Sequence, residues 1–189
     1  MICDILLKNT KDIIMEIIED EFSYLTNLWQ EYKILFSNED NLNILNKKFG
    51  NCFHTIQHSM NNDMILSLNR LLDPYHQGTN KNLVLETLLD RVSDEEKRRE
   101  LEGKLNVIRQ LRDSSNLKEI RHKRLAHSDK KTRNEDGNFI MILINYDTVE
   151  NIINLISEFL NEINFLENRK VEYFESDTYC QDLVNALDI

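Results

Sequence analysis

Apolar residues return every three or four positions over most of this chain, with acids, amides and lysines between them, and that rhythm predicts helices. The first helix is expected from about Thr10, read as its N-cap, to Phe36, with Ile14, Ile18, Leu25, Leu28, Trp29, Tyr32 and Leu35 on one stripe. After "SNEDN" a second long helix is predicted over about 42–72, its stripe carrying Leu45, Phe49, Cys52, Phe53, Ile56 and Met60. "DPYHQGTNKN" ends it, because proline disfavours the α conformation in the residue before it. A short helix is expected at about 82–91. Ser93 then opens another, with Glu96 at capping-box spacing, reaching about Arg112. "DSSN" breaks that helix and caps one at about 116–128. "KKTRNEDGN" reads as a polar loop, and "FIMILINY" (139–146) suits either a short strand or an extended connector. A helix over about 148–168, capped by Asp147 or Thr148, carries the cleanest stripe, from Val149 to Ile163. A final short helix is expected from Ser176.

Long amphipathic helices of this kind make a bundle. The predicted fold is all-α, with two long antiparallel helices and several shorter ones. Composition agrees: four glycines and one proline among 189 residues are too few for a protein built on hairpins. No repeat or linker divides the chain, so a single domain is expected, with a core of about 10–170 and a C-terminal extension at 171–189. Three cysteines without C-x-x-C spacing suggest neither a disulfide framework nor a zinc knuckle. The N-terminus carries Asp4, Asp12, Glu16 and Glu19 among its apolar residues, which fits neither a signal peptide nor a membrane span. These features predict a reduced, cytoplasmic protein that does not engage a membrane.

Charge changes the picture at one place. The chain carries a formal −10, which opposes a broad coat of nucleic acid. Yet residues 118–133 hold seven Lys/Arg against two acids, a +5 island in a chain otherwise at about −15. On a helical wheel Leu117, Ile120, Arg121, Arg124, Leu125 and His127 lie within about 160° of arc, so basic side chains share a face with the apolar anchors. Lys118, Glu119, His122, Lys123 and Ala126 lie outside it.

Two readings stay open on physics alone. Basic residues at a helix end favour the helix dipole, and arginine stems cover apolar neighbours while their heads reach water. Alternatively, Arg and His on one groove-facing surface form a phosphate-transfer site. RNA supplies its own nucleophile, the 2′-OH. A protein then needs a group that moves a proton near neutral pH and a fixed cation for the phosphate oxygens, and no metal or other cofactor is required.

An Arg, a polar residue after it, and a His four to six residues on is the signature of HEPN domains, and "RHKRLAHSD" (121–129) resembles it. With "SLNRLLDP" (67–74), "NLVLETLL" (82–89) and the long final helix, the pattern is similar to the AbiU-type abortive-infection branch over roughly 10–170. The resemblance implies a helical bundle that pairs into a homodimer and acts on RNA as a metal-independent ribonuclease, in phage defence or as a toxin with a possible antitoxin. It implies that Arg121 binds the scissile phosphate, that His127 is the general acid or base, and that His122 orients the site. Lys118, Lys123, Arg124 and Asp129 are supporting candidates. Arg124, three residues before His127, is an alternative to Arg121 for the phosphate. Asp129 stands where some toxin members carry a Tyr to which a partner adds a nucleotide, which argues against that control. Many HEPN domains do not catalyse, so a module that binds nucleotide, RNA or a protein partner is the alternative, and a purely structural adaptor the third.

Other clusters read as structural. His54 and His58 have a spacing that can hold zinc but lack a third ligand. Arg70 and Asp73 either pair locally or brace the basic helix. Tyr75 and His76 fall in the loop. No phosphate-binding glycine loop and no G-x-S-x-G occurs.

Overall fold

The computed structural model describes residues 2–122, 145–169 and 179–187, with residues 2–11 and 179 described by their backbone. Helix α1 (Ile2–Phe36) and helix α2 (Glu39–Leu72) are joined by a two-residue turn and run antiparallel. Partners along the seam move in opposite directions: Tyr32 meets Gln57 (3.1 Å), Tyr24 meets Asp63, and Glu21 meets Ser67 (2.5 Å) and Arg70 (3.1 Å). Met15, Ile18, Phe22, Leu25, Trp29 and Tyr32 of α1 are buried against Met64, Leu68 and Leu71 of α2. The predicted all-α bundle with a long antiparallel pair is the observed fold.

Boundaries differ from expectation where backbone chemistry decides them. Thr10 is not a cap, since α1 begins at Ile2 and runs through it. Helix α2 starts three residues earlier than predicted, because the Asn38 side chain accepts from the Asp40 and Asn41 N–H groups. Its expected continuous stripe is interrupted. Phe49 leaves helical geometry (φ −148°, ψ 47°), which rotates the register, so Phe49 is 58% exposed while Leu45 and Phe53 on either side are buried.

The loop after α2 is more ordered than its sequence suggests. His76–Gln77 (β1) pairs antiparallel with Asn80–Lys81 (β2), and Gly78 supplies the positive φ of 64° that the turn requires. The segment Leu85–Arg91 is a 3₁₀ helix that buries Leu85, Leu88 and Leu89. Helix α3 (Glu95–Ser114) is capped by Asp94, not Ser93, through bonds to the Glu96 and Lys97 N–H groups. Asn116 adopts a left-handed conformation (φ 61°), which asparagine tolerates, and reverses the chain into helix α4 (Leu117–Ile120). Helix α5 (Tyr146–Leu166) is capped two to three residues before the positions proposed for it, with Asn145 accepting from the Thr148 N–H.

Helix α5 packs on α3, and its buried stripe is the predicted one: Val149, Ile152, Ile153, Ile156, Phe159, Leu160 and Ile163. The C-terminal helix α6, described over Tyr179–Leu187, lays Val184 on the core shared with α1 and α2. Polar ties join the elements at their ends. Tyr32 and Tyr146 share a 2.6 Å hydroxyl bond, Lys33 pairs with Glu150 (2.7 Å), and Arg91 grips Glu167 with two bonds of 2.6 Å. Among the described residues no helix is long and apolar enough to cross a membrane.

Candidate functional site

The site is built on the C-terminal end of α2. A helix ends with carbonyls that have no partner inside it, and a buried end must satisfy them elsewhere. Here Pro74 holds Asp73 extended (φ −60°, ψ 159°), so α2 stops abruptly at Leu72. Two arginines of α3 cap it. Arg109 donates from Nε to the Leu72 carbonyl (3.1 Å) and from Nη2 to the Asp73 carbonyl (3.0 Å), and Arg112 donates from Nη1 to the Leu72 carbonyl (2.8 Å). Arg112 is only 2% exposed and is also held by Asp113 (2.8 Å).

Glu86 completes the clamp. Its carboxylate accepts from Arg109 (2.6 Å) and from the Tyr75 N–H (3.2 Å). Burial pushes the Glu86 carboxyl up, but those hydrogen bonds outweigh it and leave the group below its ordinary pKa. Asn69, fully buried, bridges the Ile65 carbonyl (2.7 Å) and the Leu117 carbonyl (3.4 Å), so α2 also sets the position of α4.

This frame presents Arg121. Leu117 and Ile120 anchor α4 in the core, and the backbone continues at Arg121 and His122 as a wider π-type turn. Such turns recur at functional sites, because they shift side chains off the ordinary helical register. Arg121 Nη1 sits 3.0 and 3.2 Å from the two carboxylate oxygens of Asp73, a half-buried guanidinium against a nearly buried acid. Its Nη2 and Nε make no hydrogen bond among the described residues. Asp73 is thus the brace of the basic helix, and the local alternative does not form, since Arg70 pairs with Glu21 across to α1.

Arg121, Asp73, Glu21 and Arg70 line one open cleft of about 310 Å³ between α1, the end of α2 and the hairpin. Ile17 and Leu83 give it exposed aliphatic walls, and Gln77 and Asn82 add side-chain amides.

The other predicted residues divide in two. His122 is exposed on the turn beside Arg121, and Lys118 is exposed with its ammonium 3.9 Å from Asp113. Lys123, Arg124, His127 and Asp129 lie outside the described residues, as do the 130–138 loop, most of 139–146 and Ser176. His54 is exposed and the half-buried His58 meets Asn62 (3.1 Å); among the described residues no three metal-ligating side chains cluster. Tyr75 stacks obliquely on His76 in the hairpin, with Lys81 over its ring.

Sequence reasoning missed Arg109, Arg112, Glu86 and Asn69, which hold the site without facing it. The only trace of the arginine clamp in the sequence is an i, i+3 pair on the face of α3 that carries Leu101, Leu105 and Ile108.

A family model, HEPN_AbiU2, described as AbiU2, matches residues 8–179, a span that takes in the α2 terminus, the hairpin, Arg121 and the long α5 helix. No curated protein and no solved structure matches the chain.

Proposed function

We propose that this chain, which belongs to the AbiU2 family of HEPN domains, is a metal-independent endoribonuclease acting in abortive infection. In this reading Arg121 binds the scissile phosphate and stabilises the charge on its oxygens as the 2′-OH attacks. His127 moves the proton, and two protomers contribute their Arg and His groups to one composite cleft. The observation that carries it is the posture of Arg121. The structural arginines Arg109 and Arg112 each commit two of their three nitrogens to the protein; Arg121 is held by one nitrogen, with its remaining donor edge unengaged among the described residues at an open cleft.

The test is cleavage of single-stranded RNA by purified protein in EDTA. Activity that survives chelation and disappears in both Arg121→Ala and His127→Ala supports the reading. Equal cleavage by both variants ends it.

One observation favours a second reading, a module that binds RNA, nucleotide or a protein partner without turnover. Asp73 already engages Arg121 as an ion pair, a ready-made hold for an arginine that binds a ligand without assisting its reaction. RNA retained on the protein, with no product even at stoichiometric enzyme, would favour that role.

A further inference from the structure

The cleft beside Arg121 has walls that the handling of a phosphate does not require. Its volume of about 310 Å³ falls at the lower end of the roughly 300–1,000 Å³ typical of small-molecule sites, room for one nucleotide. Its charges balance, Arg70 and Arg121 against Glu21 and Asp73, so it offers little to a bare polyanion. It suits a ligand with an anion at one end and a neutral, hydrogen-bonding, flat body at the other.

The donors and acceptors narrow the choice. Glu21 takes Ser67 Oγ and Arg70 Nη1 on the same oxygen, Oε1, and its Oε2 makes no hydrogen bond among the described residues. The Gln77 side-chain amide likewise makes none among them, and it offers a donor and an acceptor. Ile17 and Leu83, each about half exposed, supply apolar surface for the face of a ring.

We propose that this cleft is a nucleotide subsite that seats the base adjoining the phosphate on Arg121, and that Glu21 selects a base carrying an exocyclic amino group. Glu21 Oε2 accepts from the amino group of adenine, cytosine or guanine, as carboxylates do from base amino groups in nucleic-acid recognition. Uracil has no amino group; where the others place one it sets a carbonyl against the carboxylate, and its single N3–H donor is flanked on both sides by carbonyl oxygens that the carboxylate repels. Single-stranded RNA can deliver such a base, because its unstacked bases splay out into protein pockets. The inference takes its ligand class from the ribonuclease reading but does not need turnover.

The experiment is therefore equilibrium binding, by calorimetry or NMR titration of the full chain carrying His127→Ala. The probes are the 3′- and 5′-monophosphates of adenosine, cytidine, guanosine and uridine; the tighter series identifies the side of the phosphate on which the base sits. We expect the three amino-bearing bases to bind roughly ten-fold tighter than uridine monophosphate, the weight of one hydrogen bond to a charged group. Glu21→Gln should erase or reverse that preference, because an amide can donate to the uracil carbonyl. Leu83→Ala, at an exposed position with little bearing on folding, should weaken all four bases together by about ten-fold. Unchanged affinities in Leu83→Ala, equal affinity for uridine in the parent protein, or no binding of any probe would overturn the subsite. If Glu21→Gln lowers the melting temperature, Gln77→Ala replaces it and should change the ranking of the bases; an unaltered ranking counts against the proposal. Absent RNA cleavage with selective nucleotide binding would sink the ribonuclease reading and leave the subsite standing.

Discussion

At the scale of single residues, the site depends on groups that hold other groups. Asp73 touches Arg121 with its carboxylate, and its own backbone is pinned by Arg109 and by the proline that follows it. Asp73→Asn keeps the shape but removes the charge that aligns the guanidinium. We expect its RNA cleavage rate to fall at saturating substrate more than its KM rises, with Asp73→Glu recovering part of the loss; steady-state kinetics on one RNA decide this. Arg112 has the larger structural role. Replacing it by Met leaves the Leu72 carbonyl to Arg109 alone and removes the bond to Asp113, which should destabilise the fold by about 1–3 kcal/mol in denaturant titration. Glu86 gives a pH dependence. Its folded pKa lies below the ordinary 4.5, so its contribution is fully present above about that value and is lost as pH falls through the lower folded value. Melting temperatures should therefore drop on acidification below about pH 5, and Glu86→Gln, less stable at neutral pH, should show a shallower drop over that range.

At the scale of elements, the bundle is held by apolar stripes and oriented by what happens at helix ends. The α2 start depends on one amide, so Asn38→Ala should cost about 1 kcal/mol, measurable as a shift in the denaturant midpoint with unchanged slope. The stripes of α1 from Ile14 to Leu35 and of α5 were legible from periodicity because apolar and polar positions alternate there at helical spacing without a break. The hairpin at 76–81 and the kink at Phe49 were not. Two-residue strands carry no period, and the kink stands next to Gly50, a lone glycine that weakens a helix without by itself announcing a break. The start of α2 and the caps of α3 and α5 slipped by one to three residues for a similar reason. Asn, Asp, Ser and Thr cluster at each boundary, and every one of them can cap; only the path of the chain selects which side chain reaches the free N–H groups.

At the scale of the whole molecule, charge decides how nucleic acid can be met. A chain at −10 repels a polyanion except where cations gather, so contact should be confined to a few phosphates. With about three phosphates neutralised, the affinity of the His127→Ala protein for single-stranded RNA should fall with salt at a log–log slope near −2. A slope of −5 or steeper would show a broad basic surface instead of a local site. A composite site also predicts that mixed Arg121→Ala and His127→Ala protomers regain part of the wild-type activity through heterodimers, read by titrating one variant into the other.

Hydrophobic period and the scarcity of glycine and proline were enough to determine an all-α bundle with a long antiparallel pair, because burial of a stripe is a local property summed along each helix. The spacing of Arg121 and His127, with the basic island around them, was equally visible, since it is written in consecutive residues. What only the tertiary structure decided is the company Arg121 keeps. Asp73 lies 48 positions away, Arg109 and Arg112 come from another helix, and Glu21 comes from a third. The sequence offered Asp73 either as a local partner of Arg70 or as a brace for the basic helix, and only the packing of the helices and the abrupt end of α2 chose the brace. For Glu21 and the two arginines of α3 no sequence signal named a partner, because an ion pair depends on a separation of a few ångströms and not on chain position.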